Sequence, residues 1–276
     1  MKMEYHSPSL YLSQYILGYY MVEGNLSEFS QKLSLWSRPF LIINYGDNLK
    51  VFSDEKNYLE YSKGISYSGV FTSPKEFGKN CENVRFVAVE FIPEVATHVF
   101  REDMVNLVES VADNQQMFKS LLWLCDALSD IPDSKTKLEL LNTEITTFLS
   151  KQSLNIKSSE VHLLDIMQKT RGILRMKELK DKTGLSKNTL IKKYNQLCGT
   201  SPMQYAKIIR TEFAIARILH SKEDKLEISD LVYDLNYYDQ SHFNHSIKSA
   251  TGLSPLELNR QTGFECLAAI FANRLN

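Results

Sequence analysis

The sequence predicts an α+β fold in two parts. A small N-terminal β-barrel with helices following it precedes a C-terminal all-α domain of two helix-turn-helix motifs joined by a long helix. Three observations predict this. Residues 5–100 carry short aromatic and β-branched runs separated by turn residues. After Pro93 the apolar spacing changes to the three-and-four pattern of helices. After residue 176, one helix-turn-helix pattern occurs twice, and each copy is closed by Gly-x-Ser-Pro. The 276 residues suffice for two domains of ~100–200 residues each.

In the first part, the runs at 40–45, 50–52, 69–72 and 84–92 read as strands. The last alternates Val84, Phe86, Ala88 and Glu90 against Arg85, Val87, Val89 and Phe91. Residues 10–20 fit a short helix packed on the barrel or an edge strand. Residues 94–100 and 105–113 read as short helical turns. Two amphipathic helices follow, at 117–128 and 134–149, with Ser134 as the expected N-cap of the second. Their stripes serve either as a dimer seam or as packing against the barrel. The polar stretch 151–159 is the expected linker. The boundaries are then a β-rich domain over 1–113, a helical segment over 114–150, the second domain over 160–262 and a tail from 263.

In the second part, a helix ending near Thr183 is stopped by Gly184, and Leu185 pins the turn. Ser186 caps a second helix that buries Leu190, Tyr194 and Leu197. The theme returns with a helix carrying Ile228, Leu231, Val232 and Leu235, stopped at Asn236 and pinned by Tyr237. There Asp239 caps a helix burying Phe243 and Ile247. Gly199-Thr-Ser-Pro202 and Gly252-Leu-Ser-Pro255 end one helix and start the next in each copy. Between the copies, residues 203–219 form one helix about 25 Å long, with the broad apolar surface needed to bridge two subdomains.

Composition narrows the function. Hydrophobic residues make up 43% and charged residues 24%, which excludes a disordered or collagen-like chain. No run of ~18 apolar residues predicts a membrane span, and the N-terminus lacks the apolar core of a signal peptide. Cys81, Cys125, Cys198 and Cys266 lie far apart, so free thiols and a cytoplasmic location are expected. The formal net charge of −1 hides an asymmetry. Residues 1–156 hold 14 Lys+Arg and 20 Asp+Glu, whereas residues 157–262 hold 17 and 12. Only the second part is suited to a polyanion.

The second part resembles the DNA-binding domain of the AraC/XylS family of bacterial transcription regulators. The residues that carry the resemblance are Leu185-Ser186 with Leu190 and Tyr194, Gly199-Thr-Ser-Pro202 with Tyr205, Arg210 with Ala214 and Ile218, and Tyr237–Phe243 with Gly252-Leu-Ser-Pro255. Residues 10–113 resemble a cupin-like N-terminal domain found in some members, through Val87–Pro93 and the 103–113 segment. Lys180 and Val232 stand where members usually carry Ala, Asn236 where Gly is usual, and His245 where a basic residue usually grips DNA.

The resemblance implies a sequence-specific regulator of transcription, more often an activator. Its partners would be double-stranded DNA and, for an activator, RNA polymerase; a small-molecule effector and a homodimer are further expectations. By matching position, the first reading helix presents Asn188, Thr189, Ile191 and Lys192 to bases, with Lys187 and Lys193 near phosphates. The second presents Gln240, Ser241, Asn244 and His245. No catalytic residue, metal ligand or cofactor is expected. His242-x-x-His245 has no third ligand nearby, and Glu90, Glu94 and His98 read as a solvated edge. Two rival classes are a small-molecule-processing barrel fused to a DNA-binding module and a DNA-binding protein without effector. The effector-binding residues are not identified, although Tyr45, Phe52, Tyr67, Phe71 and Phe86 could line an apolar cavity.

Overall fold

A computed structural model describes residues 2–25, 32–33, 36–78, 81–154, 158–221 and 227–260. The tail from 261, with Cys266, lies outside them. The N-terminal half contains two antiparallel sheets. The larger has the order β1 (Lys2–His6), β2 (Ile16–Gly24), β9 (Val84–Phe91), β4 (Phe40–Asn44), β7 (Gly64–Ser68) and β10 (Val111–Ala112). The smaller has the order β3 (Lys32–Leu33), β8 (Lys75–Phe77), β5 (Leu49–Phe52) and β6 (Tyr58–Tyr61).

Strand alternation explains how both faces of the larger sheet are buried. Tyr20, Val22, Phe40, Ile42, Phe86 and Ala88 pack with Leu49, Val51 and Tyr61 of the smaller sheet. Tyr19, Met21, Leu41, Ile43, Val87 and Val89 face the other way, toward three helices. These are α1 (Pro93–Phe100), α2 (Leu124–Asp130) and α3 (Ser134–Ser150). The unbroken apolar run Phe40–Ile43 of β4 therefore suits a strand covered on both sides.

Several sequence expectations need correction. Residues 10–20 hold a 3-10 turn (Leu12–Gln14) and the start of β2, an interior strand. The run at 69–72 makes only a bridge, Phe71 to Trp36; the strand lies just before it. The 105–113 segment is a 3-10 turn (Met104–Leu107) followed by β10. Asp133, not Ser134, caps α3, accepting a bond from the Thr136 amide at 2.8 Å. Ser134 instead hydrogen-bonds Glu4 across the domain. The five aromatics do not surround one cavity. Tyr45 and Tyr67 lie in the core under the helices, Phe71 and Phe86 lie between the sheets, and Phe52 stacks on Tyr58. The stripes of α2 and α3, including Leu128, Leu141, Ile145 and Phe148, are buried against the larger sheet.

The segment between the 3-10 turn and β10 is firmly tied to the sheet. Glu109 adopts a left-handed backbone (φ 55°) and accepts hydrogen bonds from the amides and hydroxyls of Thr72 and Ser73. It also pairs with Lys75, whose side chain is fully buried. Burial pushes the Glu109 carboxyl up, but the bonds from Lys75 and Thr72 outweigh it and hold it below the ordinary range. A depressed pKa gives stability that is present above the ordinary value and lost as pH falls. Glu109→Gln is expected to lower stability by about 1–3 kcal/mol near neutral pH. The gap in thermal midpoint should close on acidification below the usual 4.5. A gap that persists unchanged at low pH would contradict a charged clamp.

The C-terminal half is helical: α4 (Ser158–Lys169), α5 (Met176–Thr183), α6 (Lys187–Cys198), α7 (Pro202–His220), α8 (Ile228–Asp234), α9 (Gln240–Thr251) and α10 (Pro255–Arg260). Helix α7 serves two cores. Tyr205, Ala206 and Ile209 join Leu179, Leu190 and Tyr194, while Ile208, Ile215 and Ile218 join Leu231, Phe243 and Ile247. The second of these cores is continuous with the apolar space between the N-terminal sheets. A buried polar contact crosses the same boundary: the Ser37 amide and hydroxyl both donate to the Glu212 carboxylate at 2.7 Å.

Candidate nucleic-acid interface

Each reading helix is set by local chemistry. Ser186 caps α6, its hydroxyl accepting from the Thr189 amide at 3.2 Å. Gly184 supplies the left-handed stop before it, at φ 68°. Leu190, Tyr194 and Leu197 anchor the inner face, and Tyr194 Oη donates to the Leu163 carbonyl at 2.6 Å. Burial pushes the Tyr194 phenol far up, so it stays a neutral donor.

The second motif repeats this with different residues. Asn236 takes the left-handed conformation (φ 52°) where the first motif has glycine. Asp239 caps α9, accepting from the His242 amide at 2.7 Å. Phe243 and Ile247 are fully buried. Tyr237, which replaces Leu185 as the turn pin, is buried where Leu185 is only half-buried. Its ring carries the Arg210 guanidinium on one contact and the Phe243 ring on another.

The outer faces are polar. On α6, Lys187, Asn188 and Lys192 are exposed, and Thr189, Ile191 and Lys193 are half-buried. On α9, Gln240, Ser241 and His245 are exposed. Asn244 is half-buried, and its Oδ1 has no hydrogen-bond partner among the described residues. An adenine edge needs both a donor and an acceptor from the amide, so this oxygen would have to turn outward. His242 stacks edge-on against Tyr237, and no cluster suited to a metal ion occurs among the described residues. Lys180, which stands where the resembled family usually carries Ala, is exposed on α5.

The structure also adds residues absent from the sequence reading. Tyr238, 91% exposed, directly precedes the N-cap of α9. The sequence signal was present, an aromatic beside a cap, but it was absorbed into the turn. Asp103 and Val105 of the N-terminal half line one groove with Asn188, Ile191, Lys192, Asn195 and Gln196 of α6. No local pattern in the sequence places them there.

Glu90 and Glu94 do not form the solvated edge expected from the sequence: both are buried, each 2% exposed. Glu90 accepts from Tyr20 Oη at 3.0 Å and pairs with Arg38, whereas His98 opens on a cleft shared with Arg101 and Gln196. Cys81, Cys125 and Cys198 are free and buried, and burial pushes the Cys125 thiol up to about 11. No helix among the described residues is long and apolar enough to cross a membrane.

Comparison with known proteins bears on the helical half. A family model described as a helix-turn-helix domain matches residues 179–261, spanning both motifs. No curated protein matches the chain. Among solved structures it is similar to ToxT from Vibrio cholerae O395 bound to (E)-4-(8-methylnaphthalen-1-yl)but-3-enoic acid. That match has 13% identity, covers 83% of this chain and 96% of that one, and has a TM-score of 0.47. Unsaturated-fatty-acid-bound ToxT from Vibrio cholerae strain SCE256 gives 13% identity, coverage of 88% and 96%, and a TM-score of 0.45. The AraC-like transcriptional activator CuxR gives 9%, 78% and 87%, with a TM-score of 0.27. Two capped motifs on one bridging helix, matched by a single domain model across both, make residues 179–261 a helix-turn-helix domain.

Proposed function

We propose that each chain reads two consecutive major grooves of duplex DNA, with α6 in one and α9 in the next. The observation that carries this is α7, which belongs to both motif cores and so fixes one reading helix relative to the other. Its 19 residues span about 28 Å, close to the ~34 Å of one DNA turn. Bases would be read by Asn188, Thr189, Ile191 and Lys192 and by Gln240, Ser241, Asn244 and His245. Lys187 and Lys193 would hold phosphates, and Tyr238 adds a phenol at the same end of α9 as Gln240 and Ser241. Selection and sequencing of DNA fragments bound by the purified protein tests this; two conserved blocks about one turn apart are the expected result.

Lys193→Ala should weaken all sequences alike and lower the magnitude of the salt slope by about one. Altered base preference without a uniform loss would remove Lys193 from the phosphate-contacting set. The resemblance to AraC-type regulators favours activation, with RNA polymerase as a further partner. The N-terminal half would control DNA binding, through a small-molecule effector or self-association. The Ser37–Glu212 contact and the continuous apolar core supply a physical route for such coupling, typically ~1–3 kcal/mol. Operator affinity measured across protein concentration and a metabolite panel tests it. An affinity and stoichiometry that never change would leave the N-terminal half without a controlling role.

A further inference from the structure

The two reading helices have different surroundings. Gln240, Ser241 and His245 of α9 stand in solvent. The outer face of α6 instead borders the N-terminal half. Asn188, Ile191, Lys192 and Asn195, spaced as one helical face, form one wall of a groove of about 720 Å³ whose other wall is Asp103 and Val105. The far end of α6 is closed more tightly. A Cβ on Gly199 would meet Val108 Cγ2 at 2.3 Å and the Met104 carbonyl oxygen at 2.6 Å. The 3-10 turn that forms this wall is held to the sheet by the Gly69 amide on the Leu107 carbonyl (3.2 Å) and by the Glu109 clamp.

A helix that enters the major groove has a sugar–phosphate backbone on each flank, because the groove is only about 12 Å wide. On this flank of α6 the backbone would run through the space between Lys192 and Asp103. There a phosphate would meet a carboxylate and the half-exposed Val105 instead of open solvent. We propose that the Asp103–Val108 edge of the N-terminal half masks the first reading helix. DNA is then engaged by α9 first, and α6 follows only when this seam opens. The inference rests on the two-groove reading above.

Asp103 is suited to a test because its side chain makes no capping bond to the turn that follows it. In the full-length chain, Asp103→Lys is expected to tighten operator binding about 3–5-fold, the scale of a single partly exposed charge. The salt slope should steepen by about one, and the gain should lie in the half-site read by the first motif. Footprints of the wild type at limiting protein should show the second-motif half-site protected first, and Asp103→Lys should narrow that difference. Unchanged or weaker binding by Asp103→Lys, with both half-sites protected together in the wild type, overturns the mask. Lys193→Ala on the same DNA separates the two readings. If it weakens binding while Asp103→Lys does nothing, only the mask falls. If neither variant changes binding, the DNA interface falls with it.

Discussion

Raising monovalent salt from about 50 to about 200 mM is expected to weaken operator binding on the order of a thousandfold. Each phosphate neutralised by a lysine or arginine releases condensed counterions, and log affinity falls with a slope near −0.9 per contact. About six contacts give a fall of roughly three decades over that range. The cations to supply them are at hand: Lys187 and Lys192 are exposed on α6, Lys177, Lys180 and Lys182 on α5, and Lys248 on α9. The acidic N-terminal half opposes the same polyanion, so the dependence belongs to the helical domain. Fluorescence anisotropy on a selected operator measures the slope directly. A flat response across this range would end the reading of α6 and α9 as DNA-contacting helices.

The second large effect concerns base preference. Asn188→Ala and Gln240→Ala should each cost about 1–3 kcal/mol on the preferred site if each amide pairs with an adenine edge through both its atoms. The loss should be confined to particular base pairs, and binding to other sequences should hardly change. Both side chains are exposed near the N-terminal ends of their helices, the region that meets base edges in such motifs. The two effects should fall on base pairs about one helical turn apart, because α7 holds the motifs apart. The double variant should lose roughly the sum, since the sites share no partner. Footprints in which both variants act on the same base pairs would refute the two-groove geometry and leave one motif structural.

Legibility in the sequence followed the range of the interaction. Capping acts within four residues, so Ser186, Ser201 and Asp239 were readable as caps and Gly184, Gly199 and Asn236 as stops. Ser134 misled because Asp133 beside it caps equally well, and only the packing of β1 against α3 draws Ser134 to Glu4. The strand over 84–91 was legible from its alternation, yet alternation does not say what covers each face. Short strands such as β6, β8 and β10 carry too few residues for a periodic signal and exist through their partners.

The sequence by itself determined the division into a β-rich half and a helical half, the two capped motifs, and the polar outer faces of α6 and α9. Each of these rests on a period or a cap that neighbouring residues settle. Tertiary structure alone decided that the stripes of α2 and α3 cover a sheet, that Tyr45 and Tyr67 part from Phe71 and Phe86 onto opposite faces, and that Ser37 meets a carboxylate 175 residues away. It alone set Asp103 across a groove from Asn188 and Lys192. The physical reason is that packing between distant segments is chosen by the summed burial of many small contacts, and no short stretch of chain records that sum.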